Sequence, residues 1–148
     1  MPTIHATDQD LGLFILRFSG RVTTPEVTAA ISDLGELTNR VEAACSLLIF
    51  ESNTDLSEIS HEEIKSFRDA VTNLYRQTKT RRRAGAAVLN GSQDARIMMP
   101  FWNALCLTET GPDLRYEFFN DIAAAIDWLG LSRNAALAVV RRTEQPHA

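Results

Sequence analysis

The chain of 148 residues lacks several features that define large classes of protein. It has only two cysteines, Cys45 and Cys106, and both lie in apolar surroundings, so we expect free thiols in a reducing compartment rather than a disulfide framework. No apolar run approaches the roughly 20 residues that span a bilayer. The opening MPTIHATDQD has no apolar h-region, so we expect no secretory signal. Together these absences predict a cytoplasmic protein with no membrane span.

Signatures of catalysis and of metal binding are also absent from the sequence. Its three histidines, His5, His61 and His147, have no second histidine or cysteine at metal-ligand spacing. There is no Gly-x-Ser-x-Gly elbow, and the single glycine in NGSQDAR falls short of a phosphate-binding loop. We therefore expect no metal, no cofactor and no enzymatic activity.

The chain has no surplus of positive charge. Its formal net charge is −4 and its pI is about 5.3, which gives no general attraction to nucleic acids or anionic membranes. The local exception is KTRRR at 79–83, which we predict to close a helix, where cations are stabilising. A contact with a partner or a phosphate is the alternative. No aromatic residues interleave with these cations to stack bases, so we expect no nucleic-acid binding.

Apolar, β-prone runs alternate with amphipathic helical segments along the whole chain. The length suits one domain, and the order of the segments is ββαβαβαβα with a short further helix at the end. Such alternation predicts an α/β fold with a mixed sheet and parallel crossovers. The predicted strands lie at 4–7, 13–18, 45–50, 84–90 and 114–119, and the predicted helix N-caps are Thr24, Ser60, Ser92 and Asn120.

The segment FESNTDLSEISHEEIK, 50–65, joins a predicted strand to a predicted helix. Ser60 and Glu63 have the spacing of a capping box, so a capped connection is the expected role. Two alternatives stay open for Ser57, Ser60 and His61, namely a phosphorylation switch and a ligand-binding loop. A helix N-terminus favours phosphate, but the neighbouring glutamates at 58, 62 and 63 would repel it.

The segment IMMPFWNALCL, 97–107, places soft and aromatic side chains around Pro100. A helix that is apolar on most sides usually packs in a core. The same groups also suit a dimer or partner surface, or the wall of an apolar ligand cavity. All three roles stay open for the four candidate residues, which are Met98, Met99, Phe101 and Trp102.

Four motifs resemble those of the STAS-like superfamily, the anti-sigma-factor-antagonist fold, and especially its bacterial STAS/CRAL-TRIO-like branch. They are LFILRFSGRVTTPEV, SLLIF, RAGAAVLNG and the closing YEFFNDIAAAIDWLG, within residues 4–130. The resemblance implies a single domain over 1–130, followed by a helical extension and tail over 131–148. It also implies a four- to five-stranded sheet with helices packed mainly on one face.

The same resemblance sets the functional expectation. Relatives of this kind are non-enzymatic and act as phosphorylation-controlled partner switches or as carriers of small or lipid-like ligands. The partner switches have an Asp-Ser motif at the helix cap, whereas here Ile59 precedes Ser60. We expect a binding module that acts through protein–protein interaction, including a homodimer. The alternative is a carrier or sensor of a small hydrophobic ligand beside the third helix.

Overall fold

A computed structural model describes residues 3–80, 82–107 and 116–144. Strands and helices follow one another in the predicted order, with two short helices at the end. The elements are β1 (Thr3–Asp8), β2 (Leu13–Phe18), α1 (Thr24–Thr38), β3 (Ala43–Phe50), α2 (His61–Gln77), β4 (Arg82–Val88), α3 (Gln93–Cys106), β5 (Tyr116–Phe119), α4 (Ile122–Trp128) and α5 (Arg133–Arg141).

The strands form one five-stranded sheet in the order β1-β2-β3-β4-β5. β1 is antiparallel to β2, and every other pair is parallel, so the predicted α/β fold with a mixed sheet is confirmed. Successive right-handed crossovers that step in one direction leave their helices on one face. α1, α2 and α3 accordingly pack on one face, and α4 and α5 return across the other. The prediction of helices mainly on one face holds for the three long helices.

Side-chain alternation in β2 decides which residues reach which face. Leu13 and Ile15 pack with α4 and α5, while Phe14, Leu16 and Phe18 pack with α1, α2 and α3. Both sets are buried, as expected for a strand inside a sheet. We name the two sides the long-helix face (α1–α3) and the short-helix face (α4 and α5).

Two of the four predicted helix caps are correct, and two are wrong by one residue. Ser60 caps α2 and Ser92 caps α3, each accepting a backbone N–H two or three residues into the helix. α1 is capped by Thr23 rather than Thr24, because the Glu26 carboxylate closes the box on the Thr23 N–H at 3.1 Å. α4 is capped by Asp121 rather than Asn120. In both cases two adjacent residues can cap, and tertiary packing selects one.

The prediction that KTRRR closes a helix is wrong: of its described residues, Lys79 and Thr80 follow the end of α2, and Arg82 and Arg83 belong to β4. α2 ends at Gln77, and β4 begins at Arg82, because residues 82 and 83 pair with β3. The Arg83 guanidinium lies over the Tyr75 ring, 4.6 Å from its centroid. Arg81 lies outside the described residues, and so does Leu114, the start of the predicted strand 114–119.

Candidate functional site

An apolar cavity of about 110 Å³ lies on the long-helix face, between the sheet and α1, α2 and α3. For scale, an engineered cavity of about 150 Å³ lined by Leu, Ile and Phe stays dry and binds benzene. No Asp, Glu, Lys, Arg or His lines this cavity. The sheet contributes Phe14, Leu16, Phe18, Ser46, Leu48 and Phe50; the helices contribute Val27, Ile31, Leu34, Ile64, Phe67, Val71, Tyr75, Met98, Met99 and Trp102; Leu56, Ile59 and Tyr116 complete the wall.

Most of the cavity wall consists of large side chains, but one of the strands on this face, β4, presents only small residues beside it. Phe18 and Phe50 stack with ring centroids 4.6 Å apart, which fixes both rings at one end of the sheet. In β4 the residues on the same face are Gly85 and Ala87, which fill little space. A Cβ at Gly85 would stand 2.7 Å from the Tyr116 ring, so only glycine lets that ring lie over the strand.

The hydroxyl-bearing side chains of the cavity gather at one place. Ser46 and Tyr116 lie in one row across the sheet, in register with Phe14 and Gly85 on the neighbouring strands. Tyr75 of α2 covers this row. The Ser46 hydroxyl is a hydrogen-bonding neighbour of both tyrosine hydroxyls. Burial nevertheless dominates, raising the pKa of Tyr75 to about 12 and the pKa of Tyr116 still further above its ordinary value.

Trp102 completes this polar end of the cavity. Its indole nitrogen is buried and makes no hydrogen bond of acceptable geometry within the described residues. It lies close enough to the Tyr116 hydroxyl to lower the pKa of that group slightly, against the larger effect of burial. The contact is therefore electrostatic rather than a well-formed hydrogen bond.

Three of the four residues singled out in α3 line the cavity. Met98, Met99 and Trp102 face it, and Met99 is almost fully buried. Phe101 is not among the lining residues, and its ring instead lies 4.7 Å from the ring of His61 at the start of α2. Pro100 is exposed inside the helix.

Ser57, Ser60 and His61 line an open groove of about 440 Å³ next to the cavity. The groove's other lining residues are Leu56, Ile59, Asp94, Ile97 and Met98. Leu56, Ile59 and Met98 line the cavity as well, so they form the partition between the two spaces. The groove and the cavity therefore adjoin at these three side chains.

The loop that carries these residues is tied to its surroundings. The Leu56 N–H donates to the Asp94 carboxylate at 2.8 Å, and the Asp55 backbone exchanges two hydrogen bonds with the Gly20–Val22 segment. These bonds hold the loop against the start of α3 on one side and the end of β2 on the other. The partition residues therefore sit on anchored backbone.

Both loop serines already donate to carboxylates. The Ser57 hydroxyl donates to Asp55 at 2.5 Å, and that bond is the main cause of a lowered Asp55 pKa. The Ser60 hydroxyl lies 3.1 Å from the Glu63 carboxylate, whose pKa is lowered mainly by a hydrogen bond from Thr24 and then by the Ser60 N–H. A phosphate on either serine would face an ionised carboxylate at contact distance.

The thiols are poorly suited to nucleophilic chemistry. Both cysteines are free. Burial raises the pKa of Cys106 to about 12, partly opposed by the charge of Arg68, and burial also raises the pKa of the half-buried Cys45. Both thiols are thus protonated near neutral pH, which makes them weak nucleophiles.

Within residues 3–80, 82–107 and 116–144, no three or more His, Cys, Asp or Glu side chains converge where a metal ion could bind. His147 lies outside those ranges. In the same part of the chain, no helix has the length and apolar character needed to cross a membrane.

Comparisons with family models, with curated proteins and with solved structures each find no match. The STAS-like assignment therefore stays a proposal that rests on the sequence motifs.

Sequence analysis missed the polar end of the cavity. Ser46 is the one hydroxyl in the apolar run CSLLIF, which could have marked it as unusual in a buried strand. The small residues of AGAAV indicated that something packs close to β4, but not that it would be Tyr116. Nothing in the sequence singled out Tyr75, which the structure buries on the inner side of α2.

Proposed function

We propose that this protein is a non-catalytic binding protein that holds a small apolar molecule in the cavity of the long-helix face, as a carrier or sensor. The cavity of about 110 Å³ is the observation that carries the proposal. Protein interiors are close-packed, and voids larger than a water molecule are few. At ~24 cal/mol per Å³, an empty void of this size costs about 3 kcal/mol.

A bound apolar molecule would recover the contacts that the empty wall lacks. Because no charged side chain lines the cavity, an ionic group inside it would lose its hydration without a compensating partner. The part of the ligand within the cavity is therefore uncharged. The resemblance to STAS-like carriers of lipid-like ligands supports the same function.

Methionine methyl groups offer a direct test of binding. The chain has three methionines, and two of them, Met98 and Met99, line the cavity. In protein labelled with ¹³C at the methionine methyls, benzene should cause saturable shifts of two signals. A Leu48→Phe variant, which adds a ring to the wall, should weaken the shifts at least about tenfold.

Leu137→Phe is the matched control, since Leu137 packs on the short-helix face. It should bind benzene as the wild type does. If no methyl signal shifts in benzene-saturated buffer, or if both variants respond alike, the cavity is not a binding site and the proposal fails.

A second candidate function, protein–protein interaction including a homodimer, is favoured by an exposed apolar stripe on α3. Ile97 is 73% exposed and Leu107 is 49% exposed. Pro100 and Ala104 are exposed between them, and helical spacing puts all four on one side. Contiguous exposed apolar surface marks interaction sites.

Sedimentation analysis of Ile97→Glu tests this second candidate. The side chain is exposed, so the fold should be retained, and a dimer held by the stripe should dissociate to monomer. Phe118→Ser, which alters an exposed apolar residue of β5, is the control. A wild type that is already monomeric, or a variant dimer of unchanged stability, removes the stripe as a self-association surface.

A further inference from the structure

We infer that the ligand is a small amphiphile whose apolar end fills the cavity and whose head group lies in the adjoining groove, and that this head group is uncharged or cationic rather than a carboxylate or phosphate. The inference rests on the proposed binding function. It adds a second part to the binding site and a charge preference.

The sizes of the two spaces indicate a ligand with two parts. A cavity of about 110 Å³ holds an apolar group no larger than about six carbon atoms, by comparison with benzene in a somewhat larger one. The groove beyond it is larger and open, and it adds hydroxyl, imidazole and carboxylate groups to the wall. Only Leu56, Ile59 and Met98 separate the two spaces, and methionine is the most adaptable of apolar side chains.

The charges around the groove have mostly one sign. Asp94 lines it, Asp55 contacts the lining Ser57 at 2.5 Å, and Glu63 contacts the lining Ser60 at 3.1 Å. The pKa values of Asp55 and Glu63 are lowered by hydrogen bonds, so both are ionised at neutral pH.

Nearby cations offset these carboxylates only in part. Arg21 lies 3.8 Å from Glu58 and, after the Ser57 hydrogen bonds, also contributes to the lowered pKa of Asp55; Lys65 lies 3.8 Å from Glu62. Each basic side chain therefore faces a further acid of the same segment. His61 is the only basic side chain among the residues that line the groove. An anionic head group would therefore meet net repulsion.

Helix N-termini often bind anions, but here the chain's own acidic side chains stand at both of them. The Glu63 N–H donates to the Ser60 hydroxyl, and the Glu63 carboxylate accepts from the Ser60 N–H, each at 3.1 Å. Asp94 lies in the first turn of α3 and accepts from the Leu56 N–H. The negative charges of Glu63 and Asp94 therefore weaken the attraction of the two helix ends for an anion in the groove.

A matched series of hexyl compounds tests the charge preference at neutral pH. Hexylamine, 1-hexanol and hexanoate share one apolar chain and differ in the charge of the head. Titrations followed by the methionine methyl signals should show that hexylamine and 1-hexanol bind. The Kd of hexanoate should be at least about tenfold higher than that of hexylamine. Backbone amide signals of Ser57 and His61 should shift along with the methyl signals.

Asp94→Asn removes one charge and keeps an oxygen that can accept from the Leu56 N–H. In this variant the ratio of the hexanoate Kd to the hexylamine Kd should fall about threefold. Asp10→Asn is the control, because Asp10 is exposed in the β1–β2 turn, at the opposite end of β2 from the groove.

Each outcome decides the question. Hexanoate that binds as tightly as hexylamine overturns the charge preference. Methyl shifts without amide shifts at Ser57 and His61 confine the ligand to the cavity and overturn the two-part site. If neither benzene nor any hexyl compound binds, the proposed function itself is wrong.

Discussion

Leu47 and Leu48 are neighbours in β3, yet they belong to different environments. Leu47 is fully buried on the short-helix face, whereas Leu48 is half-buried and lines the cavity on the long-helix face. The backbone that carries them is the same, so the difference comes from what covers each side. One sheet thus supports a closely packed core on one face and an apolar cavity on the other.

The covering helices explain the difference. α4 and α5 present the small residues Ala125 and Ala136 to the sheet, which lets these short helices approach aliphatic strand residues closely. α1 meets the other face through aliphatic side chains, whereas α2 and α3 meet it through aromatic and methionine side chains that cannot fill every gap between rigid rings. Size and shape of side chains, more than hydrophobicity, separate the two faces.

The largest expected effect compares Leu47→Ala with Leu48→Ala. Leu47→Ala should lower the free energy of unfolding by about 3–5 kcal/mol, because it opens a void among packed neighbours. Leu48→Ala should lower the free energy of unfolding by about 2 kcal/mol or less, because that side chain is only partly buried and already borders a void. Urea denaturation of both variants measures the contrast. Equal losses would mean that the two faces are packed alike.

Alkaline titration examines the long-helix face alone, because both tyrosines of the chain, Tyr75 and Tyr116, lie there. Burial raises the pKa of Tyr75 to about 12, against about 10 in the unfolded chain. Between these values the unfolded state binds fewer protons, so stability falls as pH rises. At about 1.4 kcal/mol per pH unit, Tyr75 alone removes about 3 kcal/mol by pH ~12.

Tyrosinate absorbance in the near ultraviolet measures this directly. The folded protein should show no tyrosinate absorbance near pH ~10, and the absorbance should rise steeply as the protein unfolds at higher pH. The same titration in concentrated urea is the control and should give an ordinary midpoint. A folded protein that titrates like the urea sample would show that solvent reaches the polar end of the cavity.

Gly85→Ala tests the close approach that shapes the polar end of the cavity. The new Cβ would stand 2.7 Å from the Tyr116 ring, so the ring must move, and a loss of about 1–3 kcal/mol is expected. In a Tyr116→Leu background the same substitution should cost much less, since the ring is gone. A double-mutant cycle by thermal or urea unfolding gives the coupling. Additive losses would show that the ring does not lie over Gly85.

Patterns within a segment predicted the fold well. The apolar run LFILRF predicted a strand at 13–18, which is confirmed by β2. The spacing of Ser60 and Glu63 predicted a capping box, also confirmed. These features depend on residues a few positions apart, so local physics determines them.

Features that depend on distant pairing were harder to predict. Whether Arg82 and Arg83 continue a helix or begin a strand is decided by their pairing with β3, about forty residues earlier. The cavity arises because the three long helices do not pack closely against the sheet at every point. No single segment of the sequence determines that spacing. The sequence could therefore nominate Met98, Met99 and Trp102 without deciding whether they fill a core or line a void.

The smallest expected effect compares the N-caps of a helix from each face. Ser60 caps α2 at the groove, and Asp121 caps α4 on the short-helix face; each accepts one backbone N–H at 3.1–3.2 Å. Ser60→Ala and Asp121→Ala should each cost about 1 kcal/mol of stability. Only Ser60→Ala frays a helix end that lines the groove. We therefore expect only this variant to speed the exchange of 1-hexanol between its bound and free states, which the line widths of the methyl signals measure. Equal exchange rates in both variants would mean that molecules reach the cavity by another route, and that the long-helix face opens elsewhere than between α2 and α3.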